Sequence, residues 1–320
     1  MKKLLLLLTL LSLLFITSCE FFIDEPAKGD VYYINVGIDY ENNGSSIANV
    51  KDDLKGTVPD AKELHEALRA VIAKASRTGF GYKMIQEGAS PENPLDDLYP
   101  SKEKIENKLL AVKALAKEND LTIFTYSGHG YEESGHLVLA KPLVATSSVS
   151  LSPQELLSWM ALIPGKKLVI LDSCFSGMFV EKSPSSTNTV LNNSIVKFFE
   201  TYHSSDLYGK PDLFVLTASA HTDSYEINFG TTDTPHNHGI FTFALLEALG
   251  WDHPHNSTLA SVSIKDPPAA KNGQITVDGL FKYVKANQAI PSRLKLFSNW
   301  SAFQHPMTTG GPLDLVLFNL

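Results

Sequence analysis

The chain has 320 residues, 43% of them hydrophobic and 19% charged, enough to bury one large core or about two ordinary ones, which excludes a disordered or collagen-like chain. Its 27 lysines and arginines against 35 acidic residues give a formal charge of -8, and arginine occurs only at Arg69, Arg77 and Arg293. That balance leaves little material for a phosphate-binding surface, so no nucleic-acid partner is expected.

Lys2 and Lys3 precede an apolar run from Leu4 to Ile16, shorter than the roughly 20 residues a membrane span needs, so the run reads as the core of an export signal. Ile16-Thr17-Ser18-Cys19 resembles the bacterial lipobox, where cleavage before the cysteine leaves it as a lipid-modified N-terminus. An ordinary cleaved signal that happens to carry a cysteine is the alternative. The resemblance implies a signal peptide at 1–18, lipidation at Cys19, a polar tether at 19–30, a folded domain at 31–320, and an exported chain anchored to a membrane of the bacterial envelope. The mature chain loses two lysines with the signal and becomes more acidic. Of the two cysteines, Cys174 then stays as a lone thiol with no disulfide partner in an oxidising compartment, either a chemical group or an inert core residue.

Val31 to Ile38 reads as a buried strand, followed by a polar loop from Asp39 to Ser46. Asp60, with Glu63 three residues on, reads as the N-cap of a helix whose apolar stripe is Leu64, Leu68, Val71 and Ala75. A short strand near Tyr82–Ile85 follows. Ser101 caps a second helix with Ile105, Leu109, Val112 and Leu115 on one face, and Leu121–Tyr126 is another buried strand, running into Ser127-Gly128-His129-Gly130. Ser152-Pro153 opens a helix to about Leu162, and the apolar strand 167–171 ends in Asp172-Ser173-Cys174-Phe175-Ser176-Gly177. Residues 178–211, rich in Ser, Thr and Asn, read as a long surface loop around a short helix near Ile195–Phe199. A strand at 212–218, a helix at 240–249, a polar insert at 252–272, a helix at 277–286 and a last strand at 314–318 complete the chain.

Uninterrupted apolar strands alternating with helices indicate an α/β fold, a mostly parallel central sheet with helices on both faces. Ligands in such folds bind at the carboxyl ends of strands. His129 and Cys174 both stand at such ends, one crossover apart, so topology alone can bring them to one edge.

The blocks Tyr126-Ser127-Gly128-His129-Gly130 and Asp172-Ser173-Cys174-Phe175-Ser176-Gly177 resemble those of the caspase and metacaspase family of cysteine peptidases, peptidase C14. Leu54 to Ala61, Thr217-Ala218-Ser219-Ala220 and Gly239 to Leu246 extend the resemblance over roughly residues 31–307. It implies a caspase-hemoglobinase sandwich acting on polypeptide substrates, with Cys174 as nucleophile, His129 as general acid/base, and the backbone N–H groups of Gly130 and Cys174 as oxyanion hole. In metacaspases the first specificity pocket is acidic. The positions matching its lining are Asp60, Ser127 and Asp172, while Ser219-Ala220 stand where a caspase places an aromatic and arginine pair, so cleavage after Arg or Lys is expected. Lys182, Lys197 and Lys210 in the 178–211 loop would suit self-cleavage.

No cofactor or metal is expected. Calcium serves many metacaspases, but the acidic stretch that often follows their histidine is reduced here to Glu132 and Glu133. The pairs His236/His238 and His253/His255 read as solvated loop histidines. The alternatives to a metacaspase-like peptidase are an inactive caspase-fold binding module tethered to the membrane, or a related clostripain-like enzyme; the acidic Asp60 and Asp172 argue against a legumain-like preference for Asn. Oligomeric state is not legible in the sequence.

Overall fold

The computed structural model describes residues 29–40, 54–87, 97–132, 134–140, 149–180, 212–220, 222–256, 259, 261–287, 304–309 and 313–320. The export signal with Cys19, Glu133 and the 181–211 segment with its three lysines lie outside the described residues. Among those described, no helix is long and apolar enough to cross a membrane.

In chain order the elements begin with β1 (Val31–Ile38), α1 (Thr57–Lys74), β2 (Gly79–Gln86), α2 (Lys102–Leu115) and β3 (Leu121–Ser127). The short β4 (Leu137–Val138) and β5 (Ser150–Leu151) pair with each other before α3 (Pro153–Ala161) and β6 (Lys166–Asp172). After β7 (Leu213–Thr217) come β8 (Glu226–Asn228), β9 (Asn237–Gly239), α4 (Ile240–Ala248), α5 (His253–Asn256), β10 (Gln274–Thr276), α6 (Val277–Asn287), β11 (Met307–Thr308) and β12 (Val316–Asn319).

Six strands form the central sheet in the order β11-β7-β6-β3-β1-β2, parallel throughout except for the edge strand β11. The expected α/β architecture is therefore the one observed. Because side chains alternate across a strand, β1 sends Val31 and Tyr33 to one face and Tyr32, Ile34 and Val36 to the other. The first face packs on Leu64, Leu68 and Val71 of α1, Phe241 and Leu245 of α4, and Leu280 and Val284 of α6. The opposite face packs on Ile105 and Leu109 of α2 and on Leu156, Leu157 and Met160 of α3. Both faces of β3 and β6 are covered, which is why these strands read as continuous apolar runs.

Ser101 and Ser152 cap their helices as expected, the latter in a reciprocal capping box with Glu155. Asp60 does not. α1 begins at Thr57 with Gly56 in the cap position, so Asp60 falls in the first helical turn and its carboxylate is committed to residues far away in sequence. The apparent Asp60/Glu63 capping pair is thus two inward-facing carboxylates, both buried.

Candidate active site

The parallel register of β3 and β6 sets Ser127 opposite Asp172, and the Gly128 N–H extends the ladder by donating to the Asp172 carbonyl at 3.0 Å. The two chains leave the sheet side by side, His129 two residues beyond Ser127 and Cys174 two residues beyond Asp172. They remain in contact: a β-carbon on Gly130 would collide with the Cys174 carbonyl oxygen and come within 3.4 Å of Ser173 Oγ. Only glycine permits that approach. The two sequence blocks therefore meet at one sheet edge.

Two tyrosines brace the histidine turn. Tyr126 Oη donates to the His129 carbonyl (2.8 Å), the His129 N–H donates to Tyr40 Oη (3.1 Å), and the two hydroxyls lie 2.8 Å apart. The Tyr40 ring also stands edge-on to the His129 ring, centroids 4.5 Å apart. Beyond it, Tyr131 donates to the His136 carbonyl and Val138 to that of His129, a short ladder in which the Gly130 N–H takes no part. Tyr40 was legible only as part of a polar loop.

Phe175, directly after Cys174, adopts φ +54°, a left-handed conformation that costs a non-glycine residue about 1–2 kcal/mol. Its N–H donates to the Thr222 carbonyl and that of Gly177 to Ala220, both at 2.9 Å, so the turn is pinned to the chain beyond β7. Cys174 Sγ is half-buried and accepts from the Ser224 N–H at 3.4 Å. Burial, with the negative charges of Asp223 and Asp172 nearby, pushes the thiol up to about 11. The resting group is a neutral thiol.

Asp60, Ser127 and Asp172 are brought together. Ser127 Oγ donates to Asp60 Oδ2 (2.7 Å), as does the Gly239 N–H (3.2 Å); a β-carbon on Gly239 would collide with Asp172 Oδ2. Asp172 Oδ2 accepts from the Thr242 N–H and hydroxyl at 3.0 and 2.8 Å, and Oδ1 from the Ser224 hydroxyl at 2.6 Å. Both carboxylates are inside, at 1% and 5% exposure, rather than lining an open pocket. Burial and the neighbouring Asp60 lift Asp172 to about 6. Glu226, which carries no local signal, joins them: its Oε2 accepts from the N–H groups of Lys55 and Gly56, and burial with the charges of Asp60 and Asp172 raises it to about 8.

The expectation of solvated histidines is overturned for three of the four. His238 Nδ1 lies 2.6 Å from Asp60 Oδ1, its ring is fully buried, and Asp60 and Glu63 overcome the desolvation to hold the imidazolium up to about 9. His236 and His253 sit beside it, while His255 is exposed and pairs with Asp252 at 2.7 Å. Among the described residues, Glu63, His236, His238 and His253 form a group whose ligand atoms could hold a metal ion. Its carboxylate comes from 173 positions before the first histidine, so neither His-x-His pair carries a local signal for it.

No curated protein sequence matches the chain. A solved structure of a protein from Geobacter sulfurreducens aligns with 91% of this chain and 99% of its own at 16% sequence identity, with a TM-score of 0.45. The family model for the caspase domain, peptidase C14, matches residues 36–266, well over half of the chain and spanning both strand-end blocks. The chain therefore belongs to the caspase-domain family of cysteine peptidases.

Proposed function

We propose that the protein is a cysteine endopeptidase that cleaves after arginine or lysine, using Cys174 as nucleophile and His129 as general acid/base. The observation that carries this reading is the backbone contact between Gly130 and Cys174 at the carboxyl ends of two adjacent parallel strands. In the first step the Cys174 thiol gives its proton to the His129 imidazole as Sγ attacks the scissile carbonyl carbon, and the carbonyl electron pair moves onto oxygen. The N–H groups of Gly130 and Cys174 receive that oxyanion. The intermediate collapses as His129 delivers the proton to the departing amine; water, deprotonated by the same imidazole, then hydrolyses the thioester and returns the thiol.

Specificity for a cation is supported by the surplus of carboxyl groups around this edge. Asp60, Asp172 and Glu226 crowd one another, and burial raises all three, marking carboxyl groups that a positive partner would ionise. A guanidinium or ammonium from the substrate supplies it, replacing the Ser224 hydroxyl at Asp172 Oδ1. The same cation offsets the acidic charges that add to burial in raising the thiol, so the correct substrate helps to activate the nucleophile. Lys182, Lys197 and Lys210 make the 181–211 segment a substrate for the enzyme itself, and Cys19 anchors the exported chain to an envelope membrane by lipid. Two or more acyl chains suffice for stable anchoring where one does not.

Four outcomes are expected. Iodoacetamide alkylation of Cys174 should accelerate steadily from pH 6 to 10, because a thiol held near 11 gains thiolate across that range; a plateau below pH 8 would contradict the buried acidic environment. Fluorogenic peptides with Arg or Lys before the scissile bond should be turned over, those with Asp or Asn should not, and Cys174→Ala should abolish turnover. Asp172→Asn should lower kcat/KM for the arginyl peptide by 30-fold or more, since losing one partner of a buried charge pair costs about 2–5 kcal/mol. Hydrolysis of aspartyl peptides, or full activity of Cys174→Ala, would sink the assignment. The intact mass of the mature chain should correspond to a lipidated Cys19 N-terminus; an unmodified mature terminus would rule out the anchor.

A further inference from the structure

We infer that Glu63, His236, His238 and His253 form a binding site for one divalent transition-metal ion of the zinc class, separate from the Cys174/His129 edge. Glu63 comes from α1, His238 from β9, His253 from α5 and His236 from the position just before β9, and each offers one ligand atom within 4.8 Å of the others. His236 Nε2 lies 2.7 Å and His238 Nε2 3.3 Å from Glu63 Oε1, the two Nε2 atoms are 2.9 Å apart, and His253 Nδ1 is 3.9 Å from Glu63 Oε2. A tetrahedral ion with bonds of about 2.0–2.2 Å holds its ligand atoms roughly 3.3–3.6 Å apart, a spacing these separations bracket. Three imidazoles with a carboxylate suit zinc and its neighbours; calcium and magnesium prefer all-oxygen shells.

The surroundings are those of a metal site as well. His238 Nδ1 is held by Asp60 Oδ1 at 2.6 Å, which directs Nε2 to the other donors in the carboxylate–histidine arrangement that orients metal ligands. Glu63 Oε2 is fixed by the Trp251 indole N–H at 2.6 Å. His253 is packed face to face on Phe243, with ring centroids 3.9 Å apart and planes 9° from parallel, and Phe243 stacks in turn on Phe229. Both ring nitrogens of His253 are buried without a hydrogen-bond partner. A buried imidazole in that condition lacks an interaction that its chemistry requires, and an ion among the four donors supplies it. His236, just before β9, and His238, within it, bring their Nε2 atoms to 2.9 Å, so the pair presents two nitrogens to one centre.

With all four positions filled by protein, the ion has a structural rather than a hydrolytic role. It ties α1 to β9 and α5, and through Asp60 it reaches Ser127, whose hydroxyl shares that carboxylate. Metal binding at this group does not depend on the peptidase reading.

The test uses the full chain carrying Cys174→Ala, so that the thiol cannot act as a ligand, freed of metal with a chelator and titrated with zinc chloride against a chromogenic competitor. One equivalent should bind, with a melting temperature that rises with zinc concentration and does not respond to calcium or magnesium. His253→Phe, which keeps the aromatic stack, and His236→Asn should each weaken zinc binding at least 100-fold while the apo proteins stay folded; His255→Ala should not change it. If folded His253→Phe and His236→Asn bind zinc as tightly as the parent, or the parent binds no stoichiometric zinc, the four residues are a proton-bridged ion-pair network and the proposal fails.

Discussion

Everything at the candidate site depends on one constraint, the parallel, in-register pairing of two strands buried on both faces. Leu121–Ser127 and Lys166–Asp172 run the same way with Ser127 opposite Asp172, so whatever follows each strand must emerge beside the other. Neither strand can slip: a shift of one residue would exchange Phe124 and Tyr126, which pack against α2 and α3, with Ile123, which packs against α1. Hydrophobic burial of the two faces thus fixes the relative position of the turns that carry His129 and Cys174. Gly130 then lets those turns touch, and the tyrosine pair Tyr40 and Tyr126 sets the height of the histidine turn above the sheet.

Around this frame the electrostatics are organised by Asp60. Its Oδ1 binds the buried His238 and its Oδ2 receives Ser127 and Gly239, so one carboxylate joins the end of β3, the start of α4 and the histidine group. Three donors, one of them the neighbouring imidazole, offset part of the cost of burying it, and burial still raises the Asp60 carboxyl above its ordinary value. Burial lifts Asp172 as well; among the described residues it has hydroxyl and N–H donors but no neighbouring cation. That open position for a cation is the place of the proposed substrate side chain.

The strands β1, β2, β3, β6, β7 and β12, most helices and the two strand-end blocks were legible because their signals are local, apolar runs, a serine before a helix, a histidine or cysteine just beyond a strand, whereas the two- and three-residue strands carried no such signal. Asp60 was misread for the same reason. Asp followed three residues later by Glu imitates a capping pair, and nothing nearby shows that the helix starts three residues earlier at Thr57 or that the partners are Ser127 and His238. Glu63, Glu226 and the three inward histidines were missed because their meaning exists only after β8 and β9 fold against α1 and the residues before it, bringing together positions 170 or more apart. Local pattern reveals which groups are chemical; tertiary burial decides which of them act together.

The most direct test of the account is covalent capture. Peptidyl acyloxymethyl ketones ending in arginine, aspartate or asparagine would be incubated with the protein and the labelled residue mapped by mass spectrometry. The account predicts one adduct per chain, on Cys174, from the arginyl probe alone, with labelling at least 100-fold slower in His129→Ala. An adduct on Cys174 from the aspartyl probe, or arginyl labelling indifferent to His129, would contradict it.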